Sequence, residues 1–371
     1  MIGAENVKIS IVMPIYNADE YLKPAIDGVL NQTLSEIELI CVDDGSTDNS
    51  LSILKEFQQA DERVRIITEN NAGPSIARNK GLGRARGKYV IFLDADDIFE
   101  PTLLEKLYNM SEEQQLDIAV CKFDIYNNRK AKFEDNIRSD HGEIFLEAGV
   151  VSKSVYPDGI LSCTTGYVWN KLFRKEFLYE KELTFDADLR VFEDTHFVVT
   201  ALSLADRIGK CQEKLMHHRV YTNQPRNKLF KKYYKQVPVV YSKIKEFLRA
   251  HGMYTPLSQS FLNLSASRCY KIYNLLWLDA KGEFWNMLHD SYAEEFSWEK
   301  AEPEYFESDE VRDFVANVLM YTHKQYQKRE DRGLKVRIRN VGRALKAVQL
   351  RKRTKAFFGN LFGKNKKNDE L

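Results

Sequence analysis

The sequence predicts an α/β protein: a Rossmann-like, mostly parallel sheet followed by a C-terminal helical appendage. Three observations lead there. Short, almost wholly apolar runs alternate with segments of helical period through about residue 120. Two acidic clusters, Asp43-Asp44 and Asp94 to Asp97, fall just past the ends of two of those runs. After Arg226 strand signals vanish and only helical periods remain.

Each element has its own reason. Lys8–Ile15 (KISIVMPI) is continuous and rich in β-branched residues, as in a strand buried on both faces. Asp19–Leu30 places Tyr21, Leu22, Ala25, Ile26, Val29 and Leu30 on one helical stripe. Glu38–Val42 is a second strand. Asp48 is placed to cap a helix through Leu51, Leu54 and Phe57. Val64–Thr68 is a third strand, Pro74–Ala85 a helix, Tyr89–Leu93 a fourth strand, and Ile118–Phe123 a fifth, with a helix from Pro101 between the last two. Residues 131–157 read as loops with short strands. Phe173–Thr184 and Phe192–Leu204 read as helices, as do Val237–Leu248, Leu257–Leu276 and Val311–Tyr326. The expected organisation is a domain over 1–225, a helical appendage over 226–330 and a basic tail over 331–371. Within 1–225, the clear alternation of strands and helices runs to about residue 120, and the pattern is weaker over 121–225. Strands joined through helices make right-handed crossovers, and such sheets bind ligands beyond the carboxyl ends of their strands, where both acidic clusters lie.

Composition narrows the class. With 371 residues, 43% apolar and 12% aromatic, the chain can bury a core. The 55 Lys/Arg are balanced by 54 Asp/Glu, which excludes a uniformly basic nucleic-acid binder; no nucleic acid is expected. No apolar stretch reaches the length of a membrane span, and Ile9–Tyr16, broken by Pro14, is a poor signal peptide. Cys41, Cys121, Cys163, Cys211 and Cys269 are far apart and contain no CxxC, as expected for reduced, mostly buried thiols in a cytoplasmic protein.

The acidic clusters carry the chemistry. Asp94-Ala95-Asp96 stands on a strand end, where alternate side chains share a face, so both carboxylates can reach one ion. Oxygen-only ligands favour Mg²⁺ or Mn²⁺. Asp97 is better explained as the cap of the following helix. Gly81, Gly83 and Gly87 lack dinucleotide-fingerprint spacing and precede a strand, so they are expected to be helix-end and turn glycines. His217 and His218, adjacent on an extended strand, would face opposite sides, so at most one joins a site. Glu193-Asp194 opens a helix-like run and needs no role beyond a helix N-terminal acid pair.

The segments ISIVMPIYNADEYL, NQTLSEIELICVDDGSTDNS and NAGPSIARNKGLGRARGKYVIFLDADD resemble family 2 glycosyltransferases, closely over about 7–120 and more loosely through Trp169-Asn170-Lys171, Phe192-Glu193-Asp194 and Arg219. The resemblance implies a glycosyltransferase-A fold, with a nucleotide-sugar half over about 1–120 and an acceptor half over about 121–225, and assigns roles. Pro14, Tyr16 and Asn17 would cradle base and ribose. Asp44, with Asp43 beside it, would bind the base, and Arg78, Asp94 and Ala95 would lie on the nucleotide-sugar side. Asp96 and Asp94 would be the metal-binding acids, with Asp96 in direct contact. Asp194 would be the catalytic base and Glu193 its fallback. Trp169, Lys171 and Arg219 would line the acceptor or sugar side.

The implied reaction is metal-dependent transfer from a nucleotide diphosphate sugar, a UDP-sugar by family habit, to a glycan or lipid-linked acceptor in surface-polysaccharide synthesis. A divalent ion offsets the leaving diphosphate's charge, and a carboxylate removes the acceptor's proton. One direct displacement inverts the anomeric centre. Two alternatives stand beside this: a nucleotidyltransferase, which lacks its glycine-rich basic loop here, and a non-catalytic nucleotide-binding scaffold.

The tail differs from the body. Residues 335–371 hold twelve Lys/Arg and two acids, a charge of +10, while the rest carries −9. Val336, Ile338, Val341, Leu345 and Val348 share a helical face among basic residues, and Phe357, Phe358, Leu361 and Phe362 follow. A basic amphipathic helix with terminal aromatics is expected to touch the inner face of the cytoplasmic membrane through 335–362, the alternatives being a solvated helix with a disordered end or a macromolecular partner.

Overall fold

The computed structural model describes residues 6–135, 148–221 and 230–330. The tail lies outside the described residues, and so does its expected membrane helix. The chain divides into two compact units, residues 1–257 and 258–371.

The first unit is built on one sheet. Its parallel half is β1 (Ile9–Ile15), β2 (Ile37–Asp43), β3 (Val64–Thr68) and β4 (Tyr89–Phe92), in the order β3-β2-β1-β4. All seven residues of β2 and all four of β4 are buried, as expected of strands covered on both faces. The sheet continues through β9 (Lys171–Arg174), β6 (Ile118–Asn127) and β10 (Ile208–Val220) to the two-residue edge strand β5 (Ile98–Phe99). Strand β6 is parallel to β10, and β9 runs antiparallel between β4 and β6. The short strands β7 (Lys132–Glu134) and β8 (Val150–Val151) pair with β6 and β10. The long strands are therefore parallel, with one reversed strand inserted, which is the expected α/β class.

Helices α1 (Asp19–Leu30), α2 (Ser50–Ala60), α3 (Pro74–Leu82) and α4 (Leu103–Gln114) are the crossovers. Leu22, Ala25, Ile26 and Val29 form the buried stripe of α1. The start of α2 is held from Asp48, whose carboxylate accepts from the Ser50 amide at 2.9 Å. Helix α3 lies close on β1: a Cβ at Gly81 would stand 2.3 Å from Val12 Cγ1. Gly81 is thus a packing glycine, whereas Gly83 occupies the C-cap as expected.

Two expectations fail here. Residues 173–184 were expected to be one helix, but Leu172 and Phe173 lie in β9, and only α5 (Lys175–Glu180) is helical. A four-residue strand is too short to show a period of two, and both faces of its position in the sheet are covered. The second failure is Asp97, which caps nothing: α4 begins at Leu103, six residues on. Strand β10 carried no clear sequence signal because register shifts between Cys211 and Met216 break its alternation. The helix expected over 192–204 is α6 (Glu193–Leu204), and α7 (Gln236–Ala250) also belongs to this unit. Four of the five cysteines are buried and all are free thiols; burial pushes Cys121 and Cys163 up to about 12.

The second unit is helical among its described residues: α8 (Ser258–Leu275), α9 (Leu278–Met287), α10 (Asp309–Met320) and α11 (His323–Glu330). Its core is aromatic. Trp285 stacks on Tyr326 at 4.4 Å and meets Phe314 edge-on at 5.6 Å, while Trp298 donates to Ser265 Oγ at 3.0 Å. No helix among the described residues is long and apolar enough to cross a membrane.

Candidate active site

The loops beyond the carboxyl ends of β1, β2 and β3 are joined by their own polar groups. Asn17, at φ 50°, accepts from the Thr47 amide at 2.8 Å, and its own amide donates to Ser46 Oγ at 3.1 Å. Asp43 accepts from the Ser46 amide at 3.3 Å. Asp44 accepts from the Ala72 amide at 2.7 Å and the Gly73 amide at 2.8 Å. The carboxylate expected to meet a base therefore braces the β3–α3 loop. Tyr16 is exposed beside this rim, and Pro14 is half-buried on β1.

The second acidic cluster follows β4. Asp94 is partly exposed, Ala95 is buried, and Asp97 is enclosed. Asp96 accepts from Tyr221 Oη at 3.1 Å. Burial raises its pKa to about 7, Asp97 and Asp94 add to the rise, and His218 and Tyr221 oppose it. Asp97 is also raised by burial, against the pull of His218. Its Oδ1 accepts from His218 Nδ1 at 3.0 Å and from the Arg219 amide at 2.9 Å, while its buried Oδ2 has no hydrogen-bond partner.

Strand β10 supports this cluster from the side. Arg219 donates from Nε to the Asp96 carbonyl at 2.8 Å and from Nη1 to Asn128 Oδ1 at 2.9 Å. Its guanidinium lies between the rings of Tyr21 and Tyr126, at 4.9 and 5.2 Å. It holds the Asp96 backbone. The two histidines face opposite sides, as expected. His217 is clamped between Asp124 at 2.5 Å and Glu100 at 2.8 Å, and only His218 joins the acidic cluster.

The third part comes from the helix that opens at Glu193. Phe192, at φ 59°, occupies the left-handed region immediately before α6, an arrangement that costs a bulky residue about 1–2 kcal/mol. It sets Glu193 and Asp194 in the first turn of α6, pointing at Arg78. Arg78 is only 4% exposed. Its Nη2 donates to Asp94 Oδ1 at 3.0 Å, and its Nη1 lies 3.3 Å from Glu193 Oε1. The same Nη1 is 2.9 Å from Asp194 Oδ1, an ion-pair contact whose alignment falls short of a hydrogen bond. Burial lifts Asp194 to about 7; Arg78 lowers it, Glu193 and Asp94 raise it, and the Val168 amide lowers it.

Trp169 and Lys171 stand behind the site. Trp169 is buried, its ring nearly parallel to those of Tyr167 at 4.8 Å and His218 at 5.4 Å. Lys171 is wholly enclosed and donates to Thr165 O at 2.9 Å, Tyr167 O at 2.6 Å and Asn170 Oδ1 at 2.8 Å. Burial brings its pKa down to about 7. Both residues, expected on the acceptor or sugar side, organise the 165–170 loop from within. Sequence reasoning missed Tyr221, Asn128 and the structural use of Asp97; no motif marks them, because β10 itself left no clean pattern.

The arrangement fits a divalent ion held by one or two carboxylates rather than by a full set of protein ligands. Asp94 is engaged by Arg78 and Asp97 Oδ1 by β10, leaving Asp96 and the unpartnered Asp97 Oδ2 beside it. No group of three or more His, Cys, Asp or Glu among the described residues is arranged to hold a metal. Mg²⁺ and Mn²⁺ tolerate this, since Mg²⁺ in particular is often held by one or two carboxylates together with water and substrate phosphates.

An α/β sheet with carboxylates gathered past its strand ends defines a ligand-binding class. Comparison with known proteins makes it specific. The Glycosyl transferase family 2 model matches residues 10–197, and the chain belongs to that family. It is 33% identical over 216 residues to the uncharacterized glycosyltransferase EpsJ of Bacillus subtilis, covering 58% of this chain and 62% of that protein. It is 35% identical over 210 residues to a poly(ribitol-phosphate) beta-glucosyltransferase of Bacillus spizizenii, covering 55% of this chain and 31% of that one. The chain thus spans less than two thirds of either relative. The crystal structure of S. aureus TarS 1–349 shares the fold, with a TM-score of 0.66 at 21% identity over 88% of this chain and 92% of that one. The same fragment in complex with UDP-GlcNAc gives a TM-score of 0.66 at 19% identity, covering 88% of this chain and 92% of that one.

Proposed function

We propose that this protein transfers a hexosyl or N-acetylhexosaminyl unit from a nucleotide diphosphate sugar, a UDP-sugar first, to a hydroxyl of a surface glycan or lipid-linked acceptor, with inversion at the anomeric carbon. The observation that carries this is the convergence of Asp94, which stands with Asp96 in the turn after β4, and Asp194, from the first turn of α6, on the guanidinium of Arg78. Family membership supports the transfer. The beta-glucosyl transfer to poly(ribitol-phosphate) by the B. spizizenii relative and the UDP-GlcNAc bound by TarS support the acceptor class and the donor.

In this reading the β1 and β2 loops, with Pro14, Tyr16, Asn17, Asp43 and Asp44, receive the nucleotide. Asp96, assisted by Asp94 or by Asp97, holds Mn²⁺ or Mg²⁺. The ion supplies charge neutralisation for the departing diphosphate. Asp194 in its ionised form accepts the proton of the attacking hydroxyl, and Glu193 stands next to it. A carboxylate lifted to about 7 can be ionised at neutral pH yet basic enough to take a proton, an effect of about 10²–10⁴-fold in rate. The basic residues of 335–371 would hold the protein at an anionic membrane face, where lipid-linked acceptors are found.

The test is thermal-shift binding to UDP-, GDP-, CMP- and dTDP-sugars, each with and without Mn²⁺. A metal-dependent shift with one nucleotide is expected. No shift with any donor, from folded protein, would favour a scaffold instead.

A further inference from the structure

The guanidinium of Arg78 is enclosed and yet meets three carboxylates: Asp94 from the end of β4, and Glu193 and Asp194 from the first turn of α6. Its position is itself built. The Phe185 ring lies beneath it at 5.4 Å, stacked on Phe197 at 4.0 Å. The adjacent Asn79 fixes that floor from both sides, donating to Phe185 O at 2.8 Å and accepting from the Phe185 amide at 2.8 Å. A residue meant to follow a mobile ligand would not need such a seat.

We propose that Arg78 is a positioning residue for Asp194: one nitrogen anchors on Asp94, and the other fixes the carboxylate that takes the acceptor proton. The proposal rests on the glycosyl-transfer reading above, in which Asp194 is the base.

A guanidinium suits this role and an ammonium does not. Its two terminal nitrogens have a fixed planar spacing and can hold acids from two elements at once. A lysine at position 78 would keep the charge but could anchor only one side. The other charged groups around Asp194 cannot replace it. Glu193 and Asp94 repel Asp194, and the Lys171 ammonium is spent on three acceptors of its own loop. Without Arg78, Asp194 would be left among like charges, free to turn away from the crevice.

The experiment is a double-mutant cycle on the full chain. It measures Mn²⁺-dependent hydrolysis of UDP-GlcNAc, or of whichever sugar nucleotide gives the thermal shift, for wild type, Arg78→Lys, Asp194→Asn and the double variant. Expected for Arg78→Lys is a kcat lower by about a hundredfold with donor KM within about twofold. The double variant should be no slower than Asp194→Asn alone, because Arg78 acts through Asp194. A raised donor KM with kcat retained would make Arg78 a donor ligand and overturn the proposal. So would losses that multiply in the double variant. Arg78→Gln is the second variant; if it and Arg78→Lys both fail to fold while Asp194→Asn folds, Arg78 serves stability and the proposal falls. If Asp194→Asn itself hydrolyses donor at the wild-type rate, the base assignment fails first, and that outcome is distinct from a normal Arg78→Lys beside an inactive Asp194→Asn.

Discussion

Asp97 Oδ1 meets His218 Nδ1 at 3.0 Å, and the imidazole of His218 stacks on Trp169 at 5.4 Å. Through this pair the acidic turn after β4 is bound to β10 and to the 165–170 loop. Asp97 also accepts from an amide of β10, that of Arg219. The neighbouring Asp96 is thereby turned towards Tyr221 and the crevice.

Asp97→Ala should therefore damage both stability and the site. It removes the carboxylate that accepts from the Arg219 amide and from His218 Nδ1, a cost of about 1–3 kcal/mol for buried groups. Thermal melting should show this loss, and Mn²⁺-dependent donor binding should weaken because Asp96 is no longer held. Unchanged melting would mean that the β10 tether contributes nothing.

The pKa of Asp96 gives a stability prediction with a definite sign. Its folded value, about 7, lies above the ordinary carboxylate value of 3.8, so folding favours the protonated acid. That contribution is complete below the ordinary value and is lost as pH rises through about 7. Metal-free protein should melt at a lower temperature at pH 8 than at pH 6. Asp96→Asn should remove part of that slope, and Mn²⁺ should raise the wild-type melting temperature more at pH 8. A slope identical in Asp96→Asn would assign the effect elsewhere.

Asp194 gives a kinetic counterpart. A base lifted to about 7 by burial must lose its proton before it can act, so kcat/KM should climb nearly tenfold per pH unit below 7 and level off above it. Asp194→Asn should cost several orders of magnitude and flatten the profile, while sparing donor affinity. If Glu193→Gln gives that result instead, the base is Glu193.

The half of the site expected to take the nucleotide was legible because its strands are buried on both faces. Continuous apolar runs at β1, β2 and β4 announce themselves, and the acids that end them stand out. The supports of that half were not legible. Lys171 appeared as a polar residue in a motif, and only the fold reveals that its ammonium is consumed by three acceptors. Asp97 followed a strand and preceded a helix, so a cap was the local explanation; its true partners lie over a hundred residues away in sequence. Long-range pairing of polar groups leaves no periodic trace.

The basic tail makes a prediction that the folded units do not touch. Full-length protein should sediment with anionic liposomes at low salt and be released as salt screens the charge. Deletion of 335–371 should abolish sedimentation without changing donor binding. Equal sedimentation of the truncated protein would remove the tail from the membrane argument.

The last prediction concerns the seat of Arg78 within α3. Gly81 lies one turn beyond Arg78, where the helix closes on β1. An added Cβ would lie 2.3 Å from Val12 Cγ1, far inside contact distance, and Val12 is itself fully buried in the sheet. Gly81→Ala must therefore push α3 outward or distort β1, an overpacking cost of about 1–3 kcal/mol. The gain that alanine normally brings to a helix interior, about 1 kcal/mol, works in the opposite direction and is the smaller term. Val12→Ala in the same chain removes the colliding methyls and should recover part of the loss, so the two changes should be clearly non-additive in chemical denaturation. Because α3 carries Arg78, Gly81→Ala should also lower kcat more than donor affinity, and Val12→Ala should restore that too. Full additivity of the two substitutions would show that the helix does not rest on Val12.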